Sequence, residues 1–415
     1  MLKVPGARFG TSSFRMASPQ AELSQSSSNW SSSSSNRKLV LAGQIAFFPT
    51  GILTTLLGPM LTILIARWAM NDTQAGNLFL VQFLAMLMGV QLSRVLLARW
   101  GFRPAFLLGL LLMACGVATL YIGSLWLGLA SVATYGLGLG LIIPTDNLLI
   151  AEISTGSGLT SRASAVSLLN FFWGAGAVFC SLMVAWTAAH RLLPFFLGSV
   201  ALFLVLLALA MRNLPFPAAA VKSAESSASS SWRAMAKSPA IWLFAAEFLL
   251  YPGVETAVGG WIGSYVSRLG TRGASMASMM PAFFWSALTV GRALGTAFLR
   301  HFSERRVLRA GYATAAAGIA LMLWAPALSG VIGGALITGL SFATLYPITV
   351  ARLSQRFGVA ARSIGAVMFS LAAVGPAVIP WMVGVISHST GSLGAGLLLP
   401  LGATVILFFI HLFEW

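Results

Sequence analysis

Few residues in this 415-residue chain have both the type and the setting to do chemistry, and Glu255 leads them. It sits near the middle of an apolar run at 240–267, among Tyr251, Pro252, Gly253, Gly259, Gly260 and Trp261. A carboxylate inside a membrane span is costly and is a functional residue by default. There it can hydrogen-bond a hydroxylated solute through both oxygens, or carry a proton. Glu247, eight residues earlier, falls on nearly the same helical face. Asp146, just after Pro144, is a third carboxylate within an apolar run. Glu255, Asp146 and Glu247 are therefore the proton-coupling candidates. Asp146 reads equally as a partner of Arg94 or Arg292, or as an ordinary solvated acid. Arg292 lies eight residues inside Arg300, about 12 Å deep at 1.5 Å per residue, and needs an acid, carbonyls or water there. Arg94, Arg99, Arg103, Arg292 and Arg300 are the inner-gate candidates.

For solute contact, Gln44, Gln82, Asn147 and Asn170 offer amides matched to hydroxyls. Tyr251, Trp173, Trp261, Trp285 and Tyr346 offer rings to stack on a sugar, and Glu255 its carboxylate. Trp68, Trp126 and Trp186 are expected at the membrane interfaces. Other chemistries are missing from the pattern. Cys115 and Cys180 both lie in apolar runs. His190, His301, His388 and His411 occur singly, with no cysteine or carboxylate at ligand spacing, so no metal and no cofactor is expected. A phosphate-cradling loop and a Ser/His/Asp set are likewise missing, which argues against ATP hydrolysis and intramembrane catalysis.

The elements that must position these residues follow from composition. The chain is 58% hydrophobic and 8% charged, with mean hydropathy +0.87. A soluble domain carries roughly 25% charged residues, so a water-soluble enzyme is excluded. A spanning helix needs about 20 apolar residues. Spans are expected near 39–66, 75–98, 104–123, 126–153, 163–188 and 191–211, then 240–267, 276–299, 307–325, 328–351, 362–387 and 392–412. This is an all-α membrane protein with twelve transmembrane helices. Residues 1–38 form a Ser-rich tail expected to be disordered, with no apolar segment of a secretory signal. Two six-helix bundles, 39–212 and 240–415, flank a polar linker at 213–239.

The net charge of +16 is spread as single residues at the ends of apolar runs, which is a topology signal and not a nucleic-acid surface. With the N-terminus placed in the cytoplasm, 21 Lys and Arg fall on that side and only Arg67, Arg191, Arg268 and Arg272 on the other. Both termini are therefore expected in the cytoplasm. The halves also match at an offset of about 200 residues: Phe48-Pro49 with Tyr251-Pro252, Gly89 with Gly291, Pro144 with Pro347, Arg162 with Arg362 and Gly174 with Gly375. Six spans separate the copies, so they are parallel pseudo-repeats about an axis along the membrane normal.

On these features the chain resembles the major facilitator superfamily over nearly everything after Leu39. After the second span, Arg99, Gly101 and Arg103 fit the superfamily's loop signature, while Arg94 and Ala98 replace its first glycine and its aspartate. Gly295 and Arg300 repeat it in the second half, with Leu299 at the acidic position. Several segments are similar to the fucose/glucose-galactose permease branch: Gly138–Asn147, Asn170 with Trp173-Gly174, Tyr251-Pro-Gly253-Val-Glu255, and Gly259-Gly260-Trp261. That branch carries carboxylates in its first and fourth helices; here the first helix has none.

The resemblance implies alternating access about a midplane site, and proton-coupled uptake of a small polar solute such as a hexose. Drug efflux and a non-transporting receptor or assembly factor are the rival readings. The expected partners are the solute, protons and the lipid bilayer, with no nucleic acid. The protein is expected to work as a monomer, multi-pass in a bacterial inner (plasma) membrane.

Overall fold

In lipid, every backbone N–H and C=O must be satisfied within the segment, and the helix does this for a lone apolar run. The computed structural model describes residues 38–157, 162–216, 238–357 and 361–413. The tail and most of the linker lie outside the described residues, as do the side chains of Glu152, Arg162, Arg300 and Arg362. The expected spans are all helical. The first comprises Lys38–Thr55 and Leu57–Trp68. The next five are Asp72–Trp100, Phe102–Thr119, Leu125–Ser157, Arg162–Ala189 and Leu193–Met211. The second half follows with Pro239–Ser267, Met280–His301, Glu304–Trp324, Leu328–Phe342 continued by Leu345–Phe357, Ala361–Thr390 and Leu393–Phe413. Eleven helices among the described residues are long and apolar enough to cross a membrane. The eighth span, Met280–His301, completes the twelve and carries Arg292 in its interior. It starts later than expected, because Thr271–Met276 and a short turn at Ala277–Met279 precede it.

Two spans break where proline dictates. The first breaks at Leu56, three residues before Pro59, and the tenth at 343–344, just before Pro347. Proline has no N–H for the carbonyl four residues back and its ring crowds that carbonyl, here Thr55 and Ala343. The seventh span behaves differently. Its Pro252 and glycines predict a kink or an unwound stretch near Glu255; the helix is not unwound there and runs continuously over Pro239–Ser267 with Pro252 inside it. The glycines serve close packing instead. A Cβ on Gly253 would press on Gly375 and Ile379, one on Gly259 on Trp285, and one on Gly260 on Phe79.

The repeat is visible in the same contacts. Gly89 packs the second span on the fourth, at Leu137 and Gly140, as Gly291 packs the eighth on the tenth, at Leu340 and Ala343. Gly375 takes the Leu249 carbonyl, but its counterpart by packing is Gly176, which takes that of Phe48. Gly174 instead faces Thr289 of the other half.

An even number of spans brings residues 38 and 413 to one end of the bundle, called here the terminal end. At the opposite end the halves lock together. Arg268 grips Asp72 with two hydrogen bonds, Nη1 to Oδ2 at 2.9 Å and Nη2 to Oδ1 at 2.5 Å. Ser387 donates to the same carboxylate. One turn deeper, Trp381 Nε1 donates to Asn77 Oδ1 at 3.0 Å, and Phe79 lies 6.1 Å from Trp261. Gly58 and Gly259 bring the first and seventh helices to backbone contact. The apolar core of the first half runs through this seal to Trp261, Ile379 and Val383.

Asp72 opens its helix with support from the residue before it. Asn71 caps Gln74 N at 2.8 Å, and Gln74 returns the bond to Asn71 N at 3.0 Å. Asn71→Ala is expected to cost about 1 kcal/mol, read as a lower thermal midpoint of the purified protein.

Candidate functional site

One group of described polar side chains gathers where the seventh, eighth, tenth and fifth spans meet. Glu255 is there, its side chain 13% exposed. The Tyr251 hydroxyl lies one turn earlier, 2.5 Å from Glu255 Oε2 and 2.8 Å from the Phe342 carbonyl. Tyr346 stacks on Tyr251, with ring centroids 5.9 Å apart and 17° between planes. Arg292 Nη2 approaches Glu255 Oε2 at 3.9 Å, longer than a hydrogen bond. The guanidinium also lies over Trp173, 5.4 Å from its ring centroid, a cation–π arrangement. Trp173 meets Trp285 edge-on at 5.6 Å.

The eighth span contributes a row of donors. Trp285 Nε1, Thr289 Oγ1 and Arg292 Nε are all buried with no hydrogen-bond partner. Their spacing of four and three residues puts them on one helical face. That face meets Trp173 and Gly174 of the fifth span and looks toward Glu255. A buried polar group without a partner costs about 1–3 kcal/mol, so three in a row single out this face among the described residues. Sequence reading found Trp285 and Arg292 but not Thr289, since one threonine in an apolar helix carries no signal. The Trp-x3-Thr-x2-Arg spacing is the sign that was available.

The remaining candidates are spread more widely. Asp146 is wholly buried, with neither carboxylate oxygen hydrogen-bonded, and packs on Gly43 of the first span. Gln44 is also buried there. Asn147 bonds the Ile143 carbonyl of its own helix at 2.8 Å, and Asn170 is exposed. Gln82 donates to the Thr54 carbonyl and accepts from Tyr135, so it ties three spans of the first half together. Trp261 is fully buried and donates to the Pro380 carbonyl. These two act as struts of the fold and are not beside Glu255.

Among the described side chains, Arg94, Arg99 and Arg103, expected at an inner gate, show no contact with the other half. Arg94 is exposed and reaches Gln91 on its own helix, Arg99 is exposed, and Arg103 donates to the Leu214 carbonyl of its own half. Arg292 belongs instead to the mid-depth cluster. Arg300's side chain lies outside the described residues. The halves are fastened at the opposite end by Asp72, Arg268 and Ser387, of which the sequence reading named only Arg268, in the charge count.

Glu247 lies two turns from Glu255 in different company. Its Oε1 accepts from Tyr312 at 3.1 Å and from Thr349, and His411 Nε2 is 3.2 Å away. His411 therefore does pair with a carboxylate, contrary to the expectation from spacing, because the pairing is made in space across 164 positions.

Comparison with known proteins places this arrangement among transporters. The family model of the Major Facilitator Superfamily matches residues 44–380. A glucose/galactose transporter of Brucella abortus is 24% identical over 372 residues, covering 84% of this chain and 87% of the relative. A crystal structure of a single-site variant of the nucleoside transporter NupG superposes with TM-score 0.76 at 13% identity, over 91% of this chain and 100% of that one. The fucose:proton symporter FucP of E. coli superposes with TM-score 0.61 at 17% identity, over 91% and 99%.

Proposed function

Because the chain belongs to the major facilitator superfamily, we propose that this transporter takes up a small polyhydroxylated solute, a hexose before other classes, together with protons. The termini are assigned to the cytoplasm by the asymmetry of Lys and Arg, which makes the Asp72–Arg268 seal the outer gate. The two bundles then rock about the site between them, each acting as one body across the two states.

One observation carries the reading: the unpartnered Trp285, Thr289 and Arg292 donors lie across from Glu255. A sugar supplies acceptor and donor hydroxyls to both sides at once, and its apolar face suits Trp173. A lipophilic drug would leave those donors unpaired, at a cost in affinity, which disfavours the efflux reading. The named activities of the glucose/galactose and fucose:proton relatives lend support to the sugar class, and that of the nucleoside transporter keeps a ribose-bearing solute in the test. Glu255 is the assigned proton carrier, with Asp146 as second candidate because its buried carboxylate has no partner to stay ionised for.

The test is solute-driven proton movement in proteoliposomes with a pH-sensitive dye. Hexoses are added first and nucleosides second. Uptake of a hexose with loss of protons from the outside medium is expected. Silence toward every sugar, with a response to a nucleoside or a lipophilic cation, would overturn the solute class. For the responding solute, Thr289→Val is expected to weaken binding about tenfold, the equivalent of one hydrogen bond of roughly 1.4 kcal/mol. An unchanged half-saturation concentration would remove the eighth span's donor row from the site.

A further inference from the structure

We infer that Glu247 and His411 together form a proton-binding site in the second half, near the terminal end and separate from the cavity around Glu255. The inference goes beyond the coupling reading, because proton binding here stands whether or not Glu255 carries a proton.

The site is built from four spans. Glu247 comes from the seventh, Tyr312 from the ninth, Thr349 from the tenth and His411 from the twelfth. The carboxylate and imidazole side chains are 5% and 4% exposed. Two hydroxyls donate to Glu247 Oε1, and the imidazole faces the same oxygen. That set of donors satisfies a carboxylate oxygen that burial has removed from water. The His411 ring lies flat on Tyr312, with centroids 5.3 Å apart and planes 7° from parallel. Stacking on Tyr312 holds the ring with Nε2 3.2 Å from Glu247 Oε1.

Imidazole is the side chain whose charge ordinarily changes between about pH 5 and 8. Next to a carboxylate it can hold a second proton away from bulk water. Among the described residues, the other charge facing this cluster is Arg309 of the ninth span. Its guanidinium bonds the His411 and Leu412 carbonyls, at 2.8 and 3.2 Å, and not the ring. The reaction is simple addition: a proton from water on the terminal-end side joins the imidazole, giving imidazolium against the Glu247 carboxylate. Release reverses it. Position supports the path, since His411 lies in the last turn of Leu393–Phe413, next to exposed Leu412.

A fixed structural brace would show the same contacts but would not titrate. The two are separated in full-length protein with His190, His301 and His388 changed to glutamine. All three are exposed, and their removal leaves His411 as the sole histidine. Nitrogen-15 histidine resonances are followed from pH 5 to pH 8.5 in detergent, with no solute added. We expect one reversible titration within that range. In the same background, Glu247→Gln is expected to weaken proton binding at least about tenfold, since the facing negative charge is gone. Glu255→Gln is expected to leave the titration in place. A resonance locked in one protonation state throughout would overturn the site. So would a titration that Glu247→Gln leaves unchanged, which would take the carboxylate out of the site. The sole-histidine protein alone decides the first outcome, so misfolding of Glu247→Gln would not leave the question open.

Discussion

Glu255→Gln is expected to uncouple the carrier without emptying it. Glutamine keeps the length and a carbonyl acceptor for the Tyr251 hydroxyl, now 2.5 Å from Oε2, but it has no exchangeable carboxyl proton. A pH gradient of one unit is worth about 1.4 kcal/mol per proton and drives about tenfold accumulation at one proton per solute. Wild type should reach that ratio and Glu255→Gln should reach none. Exchange of labelled for unlabelled solute at equal pH should persist, because the Trp285, Thr289 and Arg292 donors remain. Arg292, 3.9 Å from Glu255, loses its counter-charge in the variant, so a weaker half-saturation constant is expected alongside. Accumulation that survives with proton movement intact would move the carrier role away from Glu255, and Asp146→Asn would be the next variant.

Asp72→Asn should open the opposite end of the molecule. The aspartate holds Arg268 through two hydrogen bonds and takes a third from Ser387. It also sits in the first turn of its helix, where the helix dipole favours a negative charge. Paired charge-assisted bonds of this kind are the stronger class of hydrogen bond. Their loss should move the two-state balance about tenfold toward the form open at this end, close to 1.4 kcal/mol. Spin labels on exposed Ser124 and Ser275, one on each half, report the change once Cys115 and Cys180 are replaced. A new long-distance population in Asp72→Asn is the expected result. Identical distance distributions would mean that the Trp381–Asn77 and Phe79–Trp261 contacts hold the seal unaided.

The architecture was readable because lipid imposes a length and a polarity on each span; eleven described helices obey it and the eighth, with Arg292 inside, is the exception. Glu255 was readable for the same reason, as a charge where charge is expensive. What escaped reading depends on partners far apart in the chain. Asp72 and Arg268 are separated by 196 positions and look like ordinary residues at helix ends. In the charge count Arg268 weighed only as one basic residue on the minor side. His411 looked isolated until the twelfth span folded beside the seventh. Gln82 and Trp261 misled in the other direction: their polar groups match a sugar in chemistry, but other spans already use them. Pro252 and the glycines around Glu255 pointed to a kinked or unwound helix; it is not unwound, and the breaks in the helical assignment fall at Leu56 and 343–344, before Pro59 and Pro347. Whether a proline interrupts its helix depends on the neighbours packed around it, and those cannot be read locally.

The seal at Asp72, Arg268 and Ser387 gathers loop residues of both halves, Asn71 with Leu269, Ser389 and Thr390, onto one exposed face. That face is a composite epitope. An antibody fragment bridging the two sides would find its footprint only while they are closed, and would prise the footprint apart if they opened. Such a binder would arrest the cycle from the side of the seal without competing for the solute. Its affinity for Asp72→Asn would fall in step with the closed fraction, which makes it a gauge of the conformational balance as well as an inhibitor.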